Sequence, residues 1–410
     1  METAFLAEVR RRYLSSLTDD ILPFWLRHGL DSVHGGYITG LDRTGAVIED
    51  DKSVWFQGRF AWVLTAVARR HPDHQDRARW IEAARSGIEF LRTHGQDTDG
   101  RFWYRLTRDG KPLVKRRYAF SDCFAAMAEA GWAAATDDPE ALRRARSHLR
   151  RVLAFLDDAN AQSPKFDPRT RPTVGLAEPM ILVNVAQELR SAALDLAPQL
   201  APVDLDLADW ATDVIAQQIE HIVAKFYRPE IRCLLEQVAP DGALLDHFEG
   251  RSVNPGHSIE AAWFILREAS ITQEPERAKR YTHIGTSVLD WMLERGWDER
   301  YGGLLYYLDA LGRPQAEYWH DMKFWWPHAE ALIGTLYAYR LTDDPKYLRW
   351  FQRIDQWTHT HFPDHVHGEW FGYLHRDGTV STTLKGNMFK GPFHIPRMYL
   401  VASELLGPSL

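Results

Sequence analysis

The chain has only two cysteines, Cys123 and Cys233, among 410 residues. That excludes a disulfide framework and predicts a reducing, cytoplasmic compartment. Positive charge is not in surplus. The formal net charge is −7, so no basic field steers phosphate, and nucleic acid is not expected as a partner. No run of about 18 apolar residues occurs, so no membrane-spanning helix is predicted. The opening "METAFLAEVRRRYL" has an early acid and no continuous apolar stretch, so no signal peptide is expected. Several chemical signatures are missing too. There is no G-x-x-x-x-G-K loop followed by Ser or Thr, no G-x-G-x-x-G after a strand, no G-x-S-x-G and no H-E-x-x-H.

Tryptophan, in contrast, is abundant. Sixteen of them lift the aromatic share to 12%. Such a surplus fills a wide core or lines a pocket that stacks on rings. One kind of segment also recurs: aromatic or β-branched residues, then a glycine turn. It appears as "GGYITGLDRTG" to Gly45, "GRFWYRLTRDG" to Gly110, "LLEQVAPDG" to Gly242, "GGLLYYLDALG" to Gly312 and "GEWFGYLHRDG" to Gly378. Thr-Gly or Asp-Gly between alternating apolar residues is a hairpin signal. The turns recur about every 66 residues, with one double gap, so a degenerate unit is expected midway at "FDPRTRPTVG", ending at Gly175.

Between the turns the apolar spacing is helical, as in "VWFQGRFAWVLTAVARR", "FSDCFAAMAEAGWAAA", "SIEAAWFILREA" and "FWWPHAEALIGTLYAYRL". Asp-Asp-Pro at 137–139 and 343–345 stops helices in two units. Each unit holds about two helices and a hairpin. An open solenoid would need a polar cap at each end, yet the last unit runs into apolar "FHIPRMYLVASELL". The expectation is an all-α fold: a closed (α/α)6 barrel of six helical hairpins, one domain over 1–410. Its short β-hairpins and loops would gather at one mouth.

Two histidines sit at stiff turns. His257 follows Asn254-Pro255-Gly256 and opens an apolar helix. The positive helix end favours its neutral, basic form. Glu260 is three residues on, on the same face. His394 follows Gly391-Pro392 and precedes Pro396-Arg397. Each reads either as an acid/base group or as a structural histidine that bonds its own turn. Arg397 pairs with a core carboxylate or holds a substrate oxygen. Arg59, a charge in the apolar "WFQGRFAW", is a rim residue or a working cation. The helix "WHDMKFWWPHAEAL" carries His320, Lys323, Trp326, His328 and Glu330 together. "HFPDHVHGEW" offers His361, His365, His367 and Glu369. It reads as a solvated hairpin edge, with a metal site as the lesser alternative.

Taken together, "GRSVNPGHSIEAAWFIL", "WHDMKFWWPHAEAL" and "GEWFGYLHRDGTVSTTLKGNMFKGPFHIPR" resemble the N-acylglucosamine 2-epimerase family. "WFQGRFAWVL" and "KRRYAFSDCFAAMA" extend the resemblance toward the N-terminus, so that it covers nearly the whole chain. It implies an (α/α)6 barrel that interconverts sugars epimeric at C2. It implies His257 and His394 as the catalytic pair, with Arg59, Tyr118, Glu260, Trp326, Glu330 and Arg397 holding the substrate. In the cellobiose and mannose branches of the family a third histidine lies mid-barrel. Here "GLAEPMILVNV" offers Met180 instead, which points to N-acetyl-D-glucosamine and N-acetyl-D-mannosamine.

The chemistry agrees with a histidine pair. Ring opening exposes the C1 aldehyde and acidifies C2–H. Inversion then needs one acid/base group on each face of a planar enediolate, and histidine titrates in the right range. Arg59 first, and Arg397 second, would stabilise the oxyanion. Glu260 or Glu330 would orient a histidine or bond a hydroxyl. No metal or redox cofactor is required. The resemblance suggests ATP as a modulator and a homodimer as the assembly. The alternatives are an aldose–ketose isomerase or 2-epimerase of free mannose, glucose or cellobiose, a non-catalytic binding protein, and a two-carboxylate glycosidase.

Overall fold

The computed structural model describes residues 2–407, apart from 117, 159–160 and 162–165. Arg117 of the "KRRYAF" stretch therefore lies outside the described residues. The helices are α1 (Glu2–Ser15), α2 (Leu22–His28), α3 (Val54–Arg70), α4 (Arg77–His94), α5 (Phe120–Thr136), α6 (Pro139–Asp157) and α7 (Ala177–Leu196). They continue with α8 (Leu207–Lys225), α9 (Phe248–Arg251), α10 (Pro255–Ile271), α11 (Pro275–Gly296), α12 (Trp325–Thr342), α13 (Pro345–His361) and α14 (His394–Leu405). A π-helical turn, Ser16–Ile21, joins α1 to α2.

Two kinds of helix alternate, and their sequences say why. Helices α3, α5, α7, α10, α12 and α14 are apolar nearly all round, and they form an inner ring in which each packs on the next. Gly58 lets α3 approach α5, because a Cβ there would lie 2.4 Å from the Phe124 carbonyl oxygen. Helices α4, α6, α8, α11 and α13 carry one apolar stripe and a charged outer face, and each covers an inner helix. The sixth pair is made from the two ends of the chain. Helix α1 packs on α14, with Arg10 donating to the Ser403 carbonyl at 3.0 Å and Tyr13 edge-on to Tyr399 at 5.1 Å. This is the closed (α/α)6 barrel expected from the repeat.

The Asp-Asp-Pro triplets act residue by residue. Asp137 and Asp343 end inner helices in the left-handed region, with φ of 55° and 53°. Asp138 and Asp344 then cap the next helix, accepting from Glu140 N at 3.0 Å and Lys346 N at 2.9 Å, with proline following at the first helical position.

Gly45, Gly110 and Gly378 close antiparallel two-stranded turns with φ near 87°. Gly242 and Gly312 also take positive φ in turns. The sixth expected hairpin is different. Val174–Gly175 is a strand paired with Gln237–Val238, and Gly175 is not a turn residue. The connection before α7 borrows a partner from the next unit instead of folding on itself.

A buried ionic clamp recurs at three of these connections. Lys52 lies 2.9 Å from Asp31, Lys323 3.1 Å from Asp298, and Lys385 3.0 Å from Asp364. All six side chains are at most 2% exposed. Each aspartate also takes an arginine from a hairpin of another unit: Arg108, Arg376 and Arg43 respectively. The last contact joins the first hairpin to the last unit, so it closes the ring. No helix among the described residues is long and apolar enough to cross a membrane.

Candidate functional site

The site is built where α10, α12 and α14 begin. Asn254 caps α10, and its side chain accepts from His257 N at 3.1 Å. Pro255 sets the first helical residue. Gly256 is required because a Cβ there would lie 2.5 Å from the Trp326 ring. That contact lets Trp326, at the start of α12, lie beside His257 with ring centres 4.9 Å apart. The other imidazole, His394 at the first position of α14, lies 5.6 Å from the same indole. The two histidines predicted from their turns therefore share one aromatic neighbour.

Each imidazole is oriented by a carboxylate. His394 Nδ1 lies 2.7 Å from Glu330 Oε1. His257 Nδ1 lies 3.0 Å from Glu236 Oε2. A carboxylate only accepts, so both Nδ1 atoms carry hydrogen. Among the described residues, neither Nε2 has a protein partner.

The protonation of the two rings differs. Burial opposes charge on His257, but Glu236, with Glu260 further off, outweighs it and raises the pKa above the usual histidine value. The sequence reading gave His257 a neutral ring through the helix dipole. The Glu236 carboxylate reverses that expectation. Burial pushes His394 well below the usual value. Glu260 opposes the shift, while Arg397 and Arg59 reinforce it.

Arg397 lies one helical turn after His394 and is 2% exposed. Its guanidinium donates to Glu260 and lies 2.7 Å from Glu330 Oε1. Glu330 is fully buried and also accepts from Trp263 Nε1 at 2.7 Å. Arg397 is thus tied to two carboxylates, while its Nε is buried without a hydrogen bond. Glu260 meets Arg397, and its link to His257 is electrostatic.

Arg59 has no such partner. Among the described residues no carboxylate lies within ion-pair distance of it, and its Nε is buried without a hydrogen bond. Its guanidinium carbon lies 4.0 Å from the Phe124 ring centre and 4.8 Å from Phe393. Burial pushes its pKa down to about 9, with Glu260 opposing, so it stays charged at neutral pH. Tyr118 stacks on Phe120 at 5.7 Å, and Phe120 meets Trp55 at 5.6 Å, so Tyr118 is linked through two rings to the indole that Arg59 approaches at 5.5 Å. Met180 is buried on α7.

His328, by contrast, is structural. His328 uses both nitrogens on backbone groups, Leu304 N at 2.8 Å and Phe324 O at 2.7 Å. Burial pushes its pKa to about 3. The HVHGE stretch does not converge. His361 stacks on Trp357, His365 and His367 are exposed, and Glu369 pairs with buried Lys390. Among the described residues, ligand atoms of Glu260, Glu330 and His394 lie within 4.8 Å of one another. Arg397 already supplies the cation for that group. Glu236 was missed by sequence reasoning. It lies in "LLEQVAPDG", a stretch noted only for its turn.

This geometry has relatives. The family model for N-acylglucosamine 2-epimerase matches residues 36–394. The N-acylglucosamine 2-epimerase of Bos taurus is 36% identical over 392 residues, covering 95% of this chain and 89% of its own. The Homo sapiens enzyme of that name is 34% identical, covering 96% and 89%. The solved cellobiose 2-epimerase of Bacillus thermoamylovorans B4167 superposes with a TM-score of 0.81 at 20% identity, covering 97% of this chain and 99% of its own. Together with the barrel and the paired histidines at its mouth, these matches show that the chain belongs to the N-acylglucosamine 2-epimerase family and is an isomerase acting on carbohydrates.

Proposed function

We propose that the protein interconverts N-acetyl-D-glucosamine and N-acetyl-D-mannosamine. The observation that carries the reading is the placement of His257 and His394 against one indole. Each has Nδ1 bound to a carboxylate and, among the described residues, Nε2 without a protein partner. After ring opening, one Nε2 removes the C2 proton and the other delivers a proton to the opposite face of the enediolate. Arg59, which has no ion-pair partner among the described residues, faces the developing oxyanion. Trp326 stacks on the sugar. Glu330 orients His394, and Arg397 holds Glu330 and Glu260 in place. The choice of N-acetylated sugars rests on identities of 34–36% to the animal enzymes, against 20% to the cellobiose 2-epimerase structure.

Acid/base transfer at C2 needs no metal or redox cofactor, and in this reading ATP serves only as a modulator. The whole chain acts as one catalytic domain. A carboxylate-based glycosidase fits less well, because Glu260 and Glu330 both face Arg397 and neither is placed as a proton donor.

Proton NMR of N-acetylglucosamine, N-acetylmannosamine, glucose and mannose in deuterated water with enzyme tests the reading. Interconversion of the N-acetylated pair with deuterium entering C2 is expected. Ketose formation from mannose, or no C2 exchange in the N-acetylated pair, would overturn it.

A further inference from the structure

The two carboxylate–imidazole pairs look alike but differ in charge balance. Around His394 the groups are Glu260, Glu330, Arg397 and Arg59. These two acids and two guanidiniums already balance, and the carboxylates are bridged by Arg397. Among the described residues the one carboxylate in contact with His257 is Glu236. Among the described residues Glu236 has no arginine or lysine within ion-pair distance, and its Oε1 is buried without a hydrogen bond. A carboxylate that is only 16% exposed and has one buried, unbonded oxygen is costly without a cation. The group placed to supply positive charge is the imidazole 3.0 Å away.

We propose that Glu236 is a positioning residue for this reaction: it takes the Nδ1–H of His257, turns Nε2 to the substrate, and holds that ring protonated while His394 rests neutral. The proposal rests on the epimerase reading and deepens it. In the resting enzyme, His394 Nε2 is the base and His257 Nε2–H is the acid. The epimer whose C2–H faces His394 reacts directly. His394 takes the proton from C2, the electron pair passes into the enediolate, and His257 gives its proton to the opposite face. The site then holds the reverse arrangement, His257 neutral and His394 charged. One proton lost to solvent from His394 and one gained by His257 restore the resting state.

The pH consequence concerns every charged or titratable group facing His257. Among the described residues these are Glu236 from the connection before α9, Glu260 on its own helix, His394 on α14, and Tyr306 and Tyr307, which face Glu236 from the segment before α12. Tyr307 is neutral, since burial and Glu236 push its pKa to about 12. Activity requires the singly protonated pair in both directions, so both epimers share one pH profile. The alkaline limb is the loss of the proton that Glu236 holds on His257. Burial lowers the His257 pKa, and Glu236 more than offsets it.

The test is the pH profile of kcat/KM for both epimers in wild type, Glu236→Gln and Glu236→Asp. In Glu236→Gln the alkaline limb should move down by about one pH unit or more, with the acid limb in place. Activity above both limbs should then fall at least about tenfold. Glu236→Asp, which keeps the charge, should restore much of the shift. An unmoved alkaline limb in folded, active Glu236→Gln would overturn the proposal, as would an equal loss at every pH with no rescue by Asp. Circular dichroism and thermal unfolding establish folding. If Glu236→Gln does not fold, the Asp variant and direct NMR titration of His257 in wild type carry the test, and a His257 that titrates below His394 would overturn it. Failure of the epimerase reading is separate, because wild type itself would then leave C2 unexchanged.

Discussion

His394 Nδ1 and Arg397 converge on one oxygen, Glu330 Oε1, each at 2.7 Å. The oxygen aims the ring, and the guanidinium balances the carboxylate charge. The imidazole is thereby oriented without being made permanently cationic, which a general base requires. Glu330→Gln keeps the shape of the site but offers the ring a neutral partner. We expect kcat to fall about 10²- to 10⁴-fold with the fold retained. Unchanged kcat for both epimers would remove Glu330 from the machinery.

The histidine pair makes a sharper prediction. His257→Ala and His394→Ala should each abolish inversion, at a cost of about 10²- to 10⁴-fold. Each should still exchange the C2 proton of the one epimer presented to the surviving ring. The two variants should therefore label opposite epimers in deuterated water. If both label the same epimer, a single base serves both faces.

Much of this was legible in the sequence, for a physical reason. Gly45, Gly110 and Gly378 need positive φ, and a turn that needs glycine leaves a local mark. The count of six followed from such marks. Gly175 misled because its strand finds a partner in Gln237–Val238, a pairing that no local pattern encodes. His257 and His394 stood out through the prolines and glycines that fix their helix starts. Glu236 did not. A glutamate beside a short strand looks like surface, and only the folding of the α8–α10 connection onto α10 brings it to His257. Arg397 was read as pairing with a core carboxylate or holding a substrate oxygen, but its two carboxylates come from α10 and α12, so which ones they are left no local mark.

Arg59 separates function from stability. A half-buried guanidinium whose Nε is buried without a hydrogen bond, and which has no carboxylate partner among the described residues, does not favour folding. Arg59→Met keeps the volume and removes the charge. Thermal stability should hold or rise, while kcat falls about 10²- to 10³-fold through loss of an oxyanion donor. A variant with wild-type kcat would show that the oxyanion is held elsewhere.

The Asp364 clamp gives the barrel a pH-dependent seam. Burial alone would raise the Asp364 pKa, but Arg43, Lys385 and the Val366 amide outweigh it and hold it well below the usual carboxylate value. A depressed carboxylate stabilises the fold fully above its unfolded value, about 4. That stability is lost as pH falls below it toward the folded value. Asp364→Asn leaves Lys385 buried without its carboxylate, and should cost about 3–5 kcal/mol at neutral pH. Arg43→Ala should cost much less, since its side chain is 41% exposed and solvent screens the pair. Unfolding of wild type and Asp364→Asn compared from pH 7 to pH 3 checks the sign. The gap between them should be constant near neutrality and shrink below about pH 4. A gap that stays constant into acid would mean that Asp364 acts by shape and not by charge. In that case the contact between the first hairpin and the last unit would hold the ring through packing alone.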